Sequence, residues 1–106
     1  MTGAELIFRA EISRGKPTLL TKDIKLSNFA RFVMRICGTD LSASLFDLNK
    51  EAIEFNDSGV GNIMLFDGRP VASSVAAGEK FEILVCDEIL AVGRVVEIQK
   101  MPTVEE

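Results

Sequence analysis

Glu79 to Ile98 reads EKFEILVCDEILAVGRVVEI, and the reading of this stretch decides the fold. Phe81, Ile83 and Val85 alternate with Glu82 and Leu84, the period of two expected of a half-buried strand. Cys86-Asp87-Glu88 interrupts the alternation as a bend, and Ile89 to Ile98 returns as a second strand. Gly93 inside that return marks a bulge or a close approach of another backbone. The segment is a β-hairpin with Phe81, Ile83 and Val85 directed at a core. It holds no nucleophile beside a base, no phosphate loop and no set of metal ligands.

The same period recurs upstream. In Glu5–Ile12, Leu6, Phe8, Ala10 and Ile12 alternate with Ile7, Arg9 and Glu11, again a half-buried strand. Ser13-Arg14-Gly15-Lys16-Pro17 ends it, because Gly and Pro do not continue a central ladder. Thr18–Leu26, with Lys22 and Lys25, reads as an exposed loop or edge segment. In Phe29–Cys37, Phe32, Met34 and Ile36 share one face of a strand. Helical spacing fits nearly as well there, and Gly38 with the β-branched neighbours favours the strand. Leu41–Leu48 and Glu51–Phe55 alternate on either side of a turn at Asn49-Lys50. Asn56-Asp57-Ser58-Gly59 is a turn cluster whose polar side chains bond their own backbone. Val60–Phe66 is a mostly apolar strand ended by Asp67-Gly68-Arg69-Pro70, and Val71–Ala77 is small and apolar. Phe8, Phe32, Phe66 and Phe81 are the expected centre of the core.

The chain thus has roughly six to eight short strands with turn signals about every 8–12 residues, the mark of an all-β sandwich or barrel. A length of 106 residues suits one domain, residues 1–106, with a core from about residue 5 to about residue 98 and a flexible tail over 99–106. The 47% hydrophobic and 26% charged residues are typical of a soluble globular protein. No apolar stretch approaches the roughly 20 residues that span a bilayer, and MTGAELIFRAE lacks a basic region before an apolar run. Cys37 and Cys86 read as reduced thiols of a cytoplasmic protein, and a disulfide between them stays open if their strands are neighbours. With no histidine in the chain, a zinc site of about four ligands is not expected.

Charge is distributed unevenly. Residues 1–50 carry eight Lys/Arg against five Asp/Glu, a net +3; residues 51–106 carry four against eleven, a net −7. Phosphate contacts dominate nucleic-acid affinity and call for a clear basic excess, so a nucleic-acid partner is disfavoured. The acidic surface favours a basic protein partner, or serves solubility.

The succession of segments resembles a known family. FRAEI (8–12) opens a strand, and RFVMRICGTDLSASL (31–45) passes through Thr-Asp into another. AIEFNDSGVGNIMLF (52–66) rises through an Asp-Ser-Gly turn, and RPVASSVAAGEKFEIL (69–84) with AVGRVVEI (91–98) closes the chain. This order resembles the C-terminal β-barrel domain of translation elongation factor Tu, over nearly the whole chain from Leu6 to Ile98. The resemblance implies a six-stranded closed antiparallel β-barrel. The family's Gly-Tyr-Arg-Pro-type stretch, which supports transfer RNA contacts in the full factor, corresponds here to KLSNFARF (25–32), with no Gly, Tyr or Pro. No RNA-contacting residue therefore carries over. No G-x-x-x-x-G-K-[ST] occurs either, so the resemblance does not extend to GTP binding.

Catalytic readings are weak residue by residue. Ser73 and Ser74 have no histidine to activate them. A carboxylate pair such as Asp87-Glu88 at a hairpin tip is ordinarily solvated, and the long groove of a glycosidase exceeds a core this small. Arg35, two residues from Cys37, is a weak hint of thiol activation, set against the usual role of cysteine as a small buried hydrophobe. Asp57, Asp67 and Asp87 lie in turns, where aspartates commonly cap, and NDSG alone does not make a calcium site. The expectation is a non-enzymatic barrel without metal or cofactor that binds a protein, of unstated oligomeric state, with no membrane association. Asp87, Glu88, Asp57, Asp67, Arg31 and Arg35 are the candidate contact residues. An immunity or inhibitor protein directed at a basic toxin nuclease is the second reading, and a small enzyme the third.

Overall fold

The structure, a computed structural model, describes residues 3–103. Eight strands follow one another: β1 Leu6–Arg14, β2 Leu26–Ser27, β3 Arg31–Ile36, β4 Thr39–Phe46, β5 Ala52–Ile53, β6 Asp57–Leu65, β7 Lys80–Val85 and β8 Glu88–Lys100. A 3-10 turn, Arg69–Val71, stands between β6 and β7. Six strands close into an antiparallel barrel in the order β1-β6-β4-β3-β7-β8, while β2 and β5 form a separate two-stranded ladder. Closure comes from the first strand meeting the last: Ile12 pairs with Gly93 and Ala10 with Val95. Among the described residues no helix is long and apolar enough to cross a membrane.

Alternation decides which side of the barrel each residue takes. Leu6, Phe8, Ala10 and Ile12 of β1 are buried, as are Phe32, Met34 and Ile36 of β3 and Phe81 and Ile83 of β7. The rings of Phe8 and Phe81 meet at 5.7 Å between centroids, tilted by 56°, a favourable aromatic arrangement. Val85 faces the same side and packs against the core while half-buried. Leu26 and Ile53, from β2 and β5, are fully buried and join the same core. They act as the plug at the end of the barrel where β1 finishes.

Two hairpins use two-residue connections. Cys37-Gly38 joins β3 to β4 and Cys86-Asp87 joins β7 to β8, with φ of 52°, 72°, 51° and 63°. Positive φ at both positions matches the twist of the flanking strands. The two tips lie at opposite ends of the barrel, because β3 and β7 run antiparallel. Both thiols are free, and this separation is the physical reason the disulfide left open by the sequence does not form.

Several expectations shift. β1 continues through Ser13 and Arg14, and Arg14 is buried. Thr18–Leu26 is less exposed than expected, with Thr21 and Leu26 buried. The turn before β6 is centred on Asn56, at φ 58°, while Asp57, Ser58 and Gly59 already belong to the strand. Phe66 is not a core residue. It lies past the end of β6, where pairing with β1 has stopped, and its half-buried ring sits 5.2 Å beneath the Arg31 guanidinium. The tail is tied down as far as it is described: β8 reaches Lys100, Pro102 is buried, and the Thr103 amide donates to Gly3 O at 2.7 Å. Residues 104–106 lie outside the described residues.

Candidate functional site

The six residues singled out from sequence do not converge. Asp87 and Glu88 sit at the β7–β8 tip, and Asp57 starts β6. Asp57 accepts from Lys50 Nζ at 2.9 Å, which also donates to Ser58 O at 2.7 Å; this contact holds the Asp57 carboxyl below its ordinary range. Asp67 lies at the other end and accepts from the Arg69 amide at 3.1 Å and guanidinium at 2.8 Å. Those bonds lower its pKa to about 2. Arg31 stacks on Phe66. Arg35 makes a bidentate pair with Asp40, at 2.8 and 3.1 Å, and approaches Glu82 at 3.8 Å. Its charge is therefore engaged with carboxylates and is not directed at Cys37. Burial and the neighbouring Glu79 push the Cys37 thiol up, opposite to the activation that the sequence hinted at.

What the barrel does assemble is a groove on its outer face, with a volume of about 910 Å³. Barrel pairing builds it from rows of outward side chains. One row runs Arg35, Glu82, Val92, Ser13, Ser58, and the next runs Lys80, Arg94, Glu11, Val60. The groove crosses β3, β7, β8, β1 and β6. The Cys37-Gly38 turn closes one end. Asn49 closes the other, donating its amide to Val60 O at 2.9 Å and accepting from Val60 N at 3.1 Å. β8 has one irregularity opposite Ile83/Leu84 and another opposite Arg9/Ala10. Bulges bend a strand and increase its twist, and Val92–Arg94, the middle of the groove, lie between the two.

The walls are charged but balanced. Glu11, Glu79 and Glu82 face Arg35, Lys80 and Arg94, and Arg94 pairs with Glu11 across the β1–β8 ladder. Val92, nearly half exposed, gives the centre an apolar surface. Gly93 keeps the floor thin: a Cβ there would lie 2.4 Å from Phe81 Cζ and 2.5 Å from Glu11 O. Interleaved carboxylates make this a poor cradle for a polyphosphate backbone. The arrangement suits an extended chain that brings apolar side chains to Val92 and its own charges to the paired walls. Among the described residues, no group of three or more Cys, Asp or Glu is placed to hold a metal ion.

Of the residues expected from sequence, only Arg35 lines the groove. Glu11, Lys80, Val92 and Arg94 were missed, because each is an ordinary outward residue of its own strand. Only the closing of β1 onto β8 sets them side by side. Fold and groove together define a small six-stranded closed β-barrel with an open, charge-balanced outer face. Compared with protein-family models and with curated proteins, the chain matches none.

Proposed function

We propose that this protein is a non-catalytic binding module that holds a segment of a protein partner in the groove across β3, β7, β8, β1 and β6. The observation carrying this reading is the groove itself: an apolar centre at Val92 between walls of paired opposite charge. That pattern of a less polar centre and a polar rim is the anatomy of transient protein interfaces. The six-stranded order and the closing hairpin support the likeness to the elongation factor Tu C-terminal barrel, here as a binding module of a bacterial cytoplasm. Affinity capture with the intact chain and mass spectrometry tests it. Val92→Glu puts an unpaired charge in the middle of the groove, so a partner held there is lost by at least about ten-fold. Capture undiminished by that change overturns the groove as the binding site.

A second reading draws on the exposed Asp87 and half-buried Glu88 at the β7–β8 tip: an inhibitor that docks an acidic tip on a basic nuclease domain, an immunity role. Electrostatic docking of that kind is fast and salt-sensitive. It predicts a complex abolished by the double change Asp87→Lys and Glu88→Lys and indifferent to Val92→Glu. The opposite pattern rejects it.

A further inference from the structure

The loop between β1 and β2 presents two leucines to solvent: Leu19 is 87% exposed and Leu20 55%. It is not a slack connection. Thr18 and Thr21 bond each other reciprocally, the Thr18 amide to Thr21 Oγ1 at 2.9 Å and the Thr21 amide to Thr18 Oγ1 at 3.1 Å. The Lys22 amide donates to Thr18 O at 2.9 Å and the Ile24 amide to Thr21 O at 3.1 Å. Beneath the loop, the buried Arg14 guanidinium donates to Thr21 O at 3.0 Å and to Ile24 O at 2.5 Å, with its other arm on Ile53 O at 3.3 Å. Phe55 covers its face at 4.0 Å. Burying a cation on carbonyl oxygens is expensive. Here it fixes a turn whose apex consists of two bare leucines, the pre-organised form in which apolar anchors bind most tightly.

Charge selects the partner. Residues 15–25 hold Lys16, Lys22 and Lys25 against Asp23, all four exposed, a net +2. The chain as a whole carries −4, which leaves −6 for the rest. Glu51, Glu54, Asp57 and Asp87 belong to the same end of the barrel and would face an anionic lipid surface pressed against the tip. A compact pocket avoids them, whereas a flat membrane does not.

We propose that the Leu19-Leu20 tip is a second docking element, which inserts into an apolar pocket rimmed by carboxylates on a protein partner. It is independent of the groove, and the two are separable by experiment. A photo-crosslinking residue replaces Leu19 in the intact chain, with a second version carrying it at Val92. Capture is repeated with the double change Leu19→Ser and Leu20→Ser, with Val92→Glu, and at two salt concentrations. The inference expects crosslinks from position 19 to a site on the partner bordered by Asp or Glu. It expects capture reduced at least about ten-fold by the double serine change, with the melting temperature unchanged, and weakened between about 0.05 M and about 0.3 M salt. Three results would overturn it: no crosslink from position 19, capture indifferent to the serine changes, or leucine-dependent co-sedimentation with phosphatidylserine vesicles in place of a protein. Loss with Val92→Glu alone would keep the groove and remove the tip.

Discussion

Arg14 is the most consequential single side chain. Its guanidinium is buried on three carbonyl oxygens and a phenyl ring, with no carboxylate bonded to it and Nε left without a partner among the described residues. Burial lowers its pKa, and the charge of Glu54 works in the opposite direction. Arg14→Met would leave the carbonyls of Thr21 and Ile24 without that donor and should lower unfolding free energy by about 3 kcal/mol. Chemical denaturation measures this, and amides in residues 15–25 should exchange faster in the same variant. Lysine should not rescue it, since an ammonium lacks the planar fork and the stacking face. Asp67 offers a second test. Its pKa is depressed from the ordinary 3.8 to about 2 by Arg69, so its contribution to stability is present above the ordinary value and is lost as pH falls through the folded one. Carbon-detected NMR titration should place its midpoint near 2, and Asp67→Asn should flatten that part of the acid-stability curve.

The strands carry their own predictions. Cys86 and Asp87 both hold positive φ, which non-glycine residues adopt at a cost. Replacing the pair by Asn-Gly, the preferred two-residue connection, should stabilise the domain by about 1 kcal/mol and raise its melting temperature by about 4–8 °C. Gly93→Ala should do the reverse. A Cβ at that position collides with Phe81 and with the backbone of Glu11, so about 3 kcal/mol should be lost, read in the same thermal scan. Much of this level was legible in the sequence. Phe32, Met34 and Ile36 showed their shared face once Gly38 and the β-branched neighbours favoured a strand over a helix, and Gly93 marked a bulge or close approach. The length of β8 and the place of Phe66 were not legible, because Leu90 and Ala91 are both buried across a bulge and Phe66 lies beyond its ladder. Period-two reasoning fails wherever the ladder is irregular or has ended.

For the whole molecule, closure is what makes the site. Glu11 meets Arg94 and Ser13 meets Val92 only because residues 7–14 pair with residues 91–100. Such a contact spans nearly the full chain, and no local pattern reports it. An all-β sandwich or barrel could thus be read from spacing and turns, and the family resemblance implied the closed barrel, while the groove depended on which strands became neighbours. Asp57, Asp67, Asp87 and Glu88 stood out in sequence as turn charges, yet the closed barrel distributes them over both ends. Amide hydrogen exchange on the chain alone and in complex with its captured partner measures the central claim most directly. Protection should rise in three stretches remote in sequence, 11–13, 80–82 and 92–94, which line the groove. Identical exchange of all three in the free and bound protein would contradict it.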